Sequence, residues 1–321
     1  MSFGRINTTS MAEIFTKNDD GKMTKVGDAN ANQISRIKNN AHIDDIKAEL
    51  NAYWTAEKLG KHNDLKAKHG SILMKDLKVP AKDFFEQIKE NHFKFQPFGP
   101  IAMSAFLKKA KIDLYVQPQY LDDCLKVTTP RPAIGRGEFL FVATFDNINF
   151  SNGKGDLVDS DGNRIEVKGK HANFGSDGPY KQMSQALMYS IYSVFNTNSS
   201  EKGLTLETID ELGKLLLNNP SRQGKVLTLL QNLKNHSAGL TNQMAELFNR
   251  THDLRLVIAA AHFYAYMKVQ KANYLLALND NVFWGFKAPN SIDEAAETMK
   301  HFNINGWMTG NRGISFTVKN G

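Results

Sequence analysis

Four acids and three lysines crowd one short stretch of the chain, "GKGDLVDSDGNRIEVKGK" (153–170). In its second arm side chains alternate, so Ile165 and Val167 face one side and Arg164, Glu166 and Lys168 the other. A three-residue loop, Ser160-Asp161-Gly162, with Gly162 left-handed, pairs Asp159 with Asn163 and sets Asp156 opposite Glu166. Lys154 then faces Lys168. A loop of two or four residues turns Asp156 to the other face. In the three-residue register two carboxylates lie side by side, with a lysine two residues along. Adjacent acids repel unless they share a proton or a cation. A hard divalent ion such as Mg2+ satisfies them with oxygen ligands. The lysine can then hold or activate a water, or stabilise charge developing on a phosphate oxygen. This is chemistry suited to hydrolysing a phosphodiester with a metal-held water.

Two other readings of the stretch compete. "DSDG" invites comparison with an EF-hand calcium loop, but that loop needs a bidentate glutamate six residues after its glycine, and Lys168 stands there. A charged, solvated hairpin with no metal is the plainer alternative.

Further residues stand in order around the hairpin. "GRGE" places Glu138 upstream of Asp156, and "QALMY" puts Gln185 and Tyr189 four apart on one face of the following helix. The order Glu, Asp, Glu-x-Lys, Gln-x-x-x-Tyr resembles the PD-(D/E)XK nuclease superfamily, which shares the restriction-endonuclease-like core. The last element is similar to that of RecB-type and lambda-exonuclease-type nucleases. The resemblance covers about residues 134–195 and extends to the strand near 273–279. It implies that Asp156 and Glu166 are metal ligands, Glu138 a further acid at or near the metal, and Lys168 the catalytic lysine. It also implies Mg2+ or Mn2+ as cofactor, DNA as partner, and Gln185 and Tyr189 on the DNA backbone. The segment before Asp156 carries no proline, and Glu138 stands where many RecB-type members place a histidine. Lys154, Lys170, His171 and Lys181 lie near these motifs and are candidates for phosphate contact.

These residues need a scaffold. The expected fold class is α/β (α+β): a restriction-endonuclease-like mixed sheet flanked by helices, with an N-terminal mainly helical region and a helical insertion. A soft boundary near 130 divides an accessory or DNA-recognition region, 1–130, from a nuclease-like domain, 131–321, with the insertion at about 204–270. The first 40 residues read as short helices or irregular chain. "AHIDDIKAELNAYWTAEKLG" reads as one amphipathic helix stopping at Gly60, and "PAKDFFEQIKENHF" and "GPIAMSAFLKKAKI" as two more. "EFLFVATF" fits helix or strand. Residues 204–217 and 224–235 read as helices, "NYLLALND", "VFWGFKA" and "GISFTVKN" as strands. "SIDEAAETMKHF" is a helix capped by Ser291, with Glu294 completing a capping box. The Phe and Tyr residues around His262 read as core.

Composition sets the outer limits. A net charge of +7 mildly favours a polyanionic partner, and its excess is spread along the chain, so any nucleic-acid surface must be assembled by folding. The single cysteine, Cys124, excludes internal disulfides and cysteine-rich metal sites. No signal-peptide run or membrane-spanning stretch is visible, which makes the cytoplasm the expected location. The Asn- and Lys-rich sequence has the flavour of a phage or mobile-element protein. The leading expectation is a metal-dependent DNA nuclease, an endonuclease or nickase ahead of an exonuclease, with a homodimer left open. The alternatives are a non-catalytic DNA-binding or structural protein on a degenerate nuclease fold, and a metal-independent interaction protein.

Overall fold

A computed structural model describes residues 12–17, 22–29, 31–130, 133–170, 172–174, 185–197, 205–231, 240–280, 282–308 and 313–319. The protein is a mixed α/β structure built on a six-stranded sheet. From one edge the strands run Phe98–Ala102, Val282–Lys287, Tyr274–Asn279, Arg164–Lys168, Leu157–Asp159 and Ile148–Phe150. Every neighbouring pair is antiparallel except Arg164–Lys168 with Tyr274–Asn279, where Glu166 lies beside Leu275 and Lys168 beside Ala277. A parallel pair needs a crossover, and the helices Leu206–Asn218, Gln223–Gln231, Thr241–Thr251 and Leu254–Gln270 lie within it.

The central strand "YLLALN" is apolar almost throughout because both of its faces are covered. Leu276 and Leu278 enter one core with Ile165, Val167 and Phe283. Leu275 and Ala277 enter a second core with Trp284, Phe286 and the helix Leu254–Gln270. Glu166 and Lys168 are in register with Leu275 and Ala277, so they point into the second layer and not into bulk water.

Several sequence expectations are corrected. The polar N-terminal segment forms the antiparallel strands Ala12–Lys17 and Met23–Ala29, followed by the start of a long helix, Ala31–Tyr53. Pairing between the two strands supplies regularity that their composition does not signal. That helix ends at Tyr53, and a short second helix, Ala56–Leu59, carries the chain to Gly60. "GPIAMSAFLKKAKI" is not one helix: its first residues belong to the edge strand Phe98–Ala102, and only Met103–Lys109 is helical. An edge strand tolerates Pro100 because one side of its backbone needs no ladder partner. "EFLFVATF" resolves as the helix Glu138–Thr144. All seven of its residues are buried, which is why its apolar pattern shows no period.

Packing is continuous across residue 130. Trp54 stacks on Phe139 with ring centroids 5.8 Å apart, and Phe93 and Phe106 pack against Phe141. The N-terminal helices therefore hold the Glu138 helix against the sheet. His69, fully buried, anchors this region: the Trp54 indole N–H donates to its Nδ1 at 2.9 Å, and its Nε2 lies 3.0 Å from the Tyr120 hydroxyl. An indole only donates, so Nδ1 accepts and the proton sits on Nε2. Among the described residues no helix is long and apolar enough to cross a membrane.

Burial pushes the His69 pKa down to about 3. The folded state keeps this ring neutral while the unfolded chain protonates it near 6.5, so its stabilisation is present above 6.5 and lost as pH falls towards 3. Denaturant titrations should show wild type losing stability faster than His69→Gln between neutrality and pH 4, by roughly 1 kcal/mol per pH unit. Parallel pH profiles would remove His69 as the cause.

Candidate active site

The hairpin has a three-residue loop. The Asp159 N–H donates to the Asn163 carbonyl at 3.0 Å, and Gly162 takes φ 81. Asp159 is itself a turn-former, its carboxylate accepting from the N–H groups of Asp161 and Asn163. The ladder runs through Val158 opposite Arg164 and Leu157 opposite Ile165. Asp156 then leaves it. Its N–H still bonds to the Ile165 carbonyl at 3.0 Å, while its Oδ2 accepts the Val167 N–H at 2.7 Å. Gly155, at φ 75, makes this departure.

The result is an open cleft of 480 Å³. Asp156, Glu166 and Lys168 line it together with Lys154, and Tyr266 and Gln270 close its far wall. Glu166 is 2% exposed. Its Oε1 accepts from the Lys168 ammonium at 2.5 Å and also from the Tyr266 hydroxyl. The Lys168 Nζ stands 5.0 Å above the Tyr266 ring. Burial alone would lower the Lys168 pKa, but the Glu166 carboxylate hydrogen-bonded to it outweighs burial and raises it. Lys168 is a fixed cation.

The other two acids are in the opposite position. Burial raises the Asp156 pKa to about 8, and the Glu166 charge adds to the rise against a smaller pull from Lys168. Burial raises that of Glu138 to about 7, opposed by the Gly135 N–H and supported by Glu166. Glu138 begins its helix after Gly137, whose φ of 92 suits glycine, and its Oε1 accepts the Gly135 N–H at 2.7 Å. A Cβ on Gly137 would lie 2.8 Å from Leu278 Cδ1. Glu138 stands close enough to share the charge of the cleft but does not line it.

None of the remaining sequence candidates is among the described residues that line the cleft. Lys170 is exposed and paired with Asp280, away from the cleft lining. His171 and Lys181 lie outside the described residues. Gln185 opens the helix Gln185–Ser193, its side chain undescribed, and Tyr189 is 47% exposed and off the cleft lining. A tyrosine and a glutamine four residues apart do reach the cleft, but they are Tyr266 and Gln270, on the helix that directly precedes the parallel strand. Sequence reasoning assigned this helix to core. The signal was a stripe, His262, Tyr266 and Gln270, recurring every fourth residue in a largely apolar helix.

A hard divalent cation fits these donors in kind. Mg2+ is commonly held by one or two carboxylates, with water and substrate oxygens completing its shell. Among the described residues, Asp156 Oδ1 and Glu166 Oε2 take no hydrogen bond, and burial together with the Glu166 charge raises the Asp156 pKa, an environment that a cation would ease. No three or more His, Cys, Asp or Glu side chains form a ready metal-holding group among the described residues. Any ion here would therefore rest on the Asp156–Glu166 pair.

No family model, curated protein or solved structure matches the chain.

A carboxylate with a raised folded-state pKa costs stability as pH climbs from its unfolded value, about 3.9, through 8. Without metal, Asp156→Asn should therefore be more stable than wild type at pH 8 by on the order of 1–2 kcal/mol, with the gap closing near pH 4. Calorimetry across that range checks it, and a gap independent of pH would refute it.

Proposed function

We propose that the chain is a divalent-metal-dependent deoxyribonuclease. The observation that carries this reading is the convergence of Asp156, Glu166 and Lys168 in one open cleft, with Lys168 held as a cation between the acids and solvent. The order of strands and helices around the cleft is consistent with the restriction-endonuclease-like core that the motif order resembles.

Asp156 and Glu166 would hold the ion, and a bound ion supplies a Lewis acid and a water acidified towards neutrality. Lys168, being protonated, donates hydrogen bonds to a non-bridging phosphate oxygen, where negative charge builds in the transition state. It is not the base. Tyr266 keeps Glu166 Oε1 occupied and so presents Oε2 to the cleft. Glu138 sits behind, with a pKa near neutrality suited to taking up a proton from the site. The cleft is open, which suits a strand passing through without a free end, so an endonuclease or nickase is favoured over an exonuclease.

The test uses supercoiled plasmids carrying a random-sequence insert pool, linear duplex and single strands, each with Mg2+, Mn2+ or EDTA. Wild type should give metal-dependent products. Lys168→Ala and Asp156→Ala should lose at least about 100-fold in rate. Absence of any metal-dependent product, or normal cutting by Lys168→Ala, would sink the proposal and leave Glu166–Lys168 as a buried structural ion pair.

A further inference from the structure

A second hollow, 390 Å³ in volume, lies where the helix Leu254–Gln270 ends. Lys268, Lys271 and Lys287 line it with Asn273, Tyr274 and Asn290, and no acid is among its lining residues. All three lysines are exposed, and among the described residues none meets a carboxylate at ion-pair distance. The Lys268 ammonium rests only over the Tyr264 ring, 5.4 Å from its centroid.

Local structure does not account for this gathering. The carbonyl end of a helix attracts cations, which explains Lys268. Lys271 caps the helix with φ 51, a left-handed conformation that glycine adopts at lower cost. Lys287 arrives from a different element, the strand Val282–Lys287. Three like charges, two from one helix end and one from a strand, repel one another, and an anion in the hollow would relieve them.

The hollow adjoins the cleft. Gln270 lines one and Lys271, the next residue, lines the other. Asn273 grips Arg164 at both backbone groups: its N–H donates to the Arg164 carbonyl, and its Oδ1 accepts the Arg164 N–H, each at 2.8 Å. Arg164 begins the strand that carries Glu166 two residues further, about 7 Å away at strand rise. The lining has no arginine fork, glycine-rich loop or helix N-terminus, the devices that grip a single phosphate by directed hydrogen bonds. Three exposed ammoniums instead recognise charge strung along a polymer, whatever its sequence.

We propose that this lysine hollow seats backbone phosphates of the nucleic-acid strand beside the cleft, an inference that rests on the nuclease reading of the cleft itself. The hollow binds and does no chemistry.

Binding of labelled duplex and single-stranded oligonucleotides is measured by anisotropy in EDTA over a range of salt, so that no cleavage is needed. The variant Lys268→Gln/Lys271→Gln/Lys287→Gln is set against Lys47→Gln/Lys82→Gln/Lys300→Gln, which removes the same charge elsewhere. The slope of log affinity against log salt should become shallower by about 2–3 in the first variant only. Equal slopes in both variants, or no nucleic-acid binding by wild type, overturn the proposal. So does an outcome in which inorganic phosphate stabilises wild type through these lysines while the oligonucleotide slope stays unchanged, which marks a small-anion site. Metal-dependent cutting with unchanged slopes removes the hollow and keeps the nuclease. Lysine-dependent slopes without cutting do the reverse.

Discussion

The arrangement around the cleft follows from one constraint: the charged face of the strand Arg164–Lys168 is roofed by a helix. A carboxylate as buried as Glu166 costs several kcal/mol unless its oxygens are answered. Lys168, two residues along the same strand, and Tyr266, from the roof, both answer Oε1. The roof can be there only because the chain crosses over and returns as a parallel strand beside the first. One hydrogen-bonded triad, one helix and one crossover are thus a single requirement seen at three scales.

The same burial divides labour among the acids. Glu166 is tied to a cation, while Asp156 and Glu138 carry the electrostatic debt of a partly buried, negative neighbourhood. That division comes from backbone detail. Gly155 and Gly137, both left-handed, bring Asp156 off the ladder and Glu138 to the start of a helix, where Val167 and Gly135 N–H groups each bind one carboxylate oxygen. The N-terminal helices contribute at a distance, through the stack of Trp54 on Phe139 that seats the Glu138 helix.

The hairpin was legible in the sequence because its information is local. Alternation in "RIEVK" and one glycine in "DSDG" determine the loop and bring Asp156 to Glu166, although the small bulge at Asp156 has no signature. The strands "YLLALND" and "VFWGFKA" were legible from their apolar runs. Tyr266 was not, because a tyrosine among "AAAHFYAYM" looks the same whether its hydroxyl meets solvent or a glutamate from another element. Gln185 and Tyr189 matched a motif in type and spacing, yet motif spacing says nothing about which helix of a crossover lies on the sheet. Phe98–Ala102 was missed for a similar reason: its strand character comes from its partner, Val282–Lys287.

The hydrogen bond from Tyr266 to Glu166 closes a loop of 100 residues. During synthesis the two acids and Lys168 leave the ribosome long before Tyr266, Gln270 and the parallel strand Tyr274–Asn279. Contacts so far apart in sequence form late, after the intervening chain has collapsed. A chain interrupted in the crossover before Tyr266 would carry Glu138, Asp156, Glu166 and Lys168 in full and still lack one wall of the cleft. The crossover therefore postpones the completed cleft until most of the molecule exists.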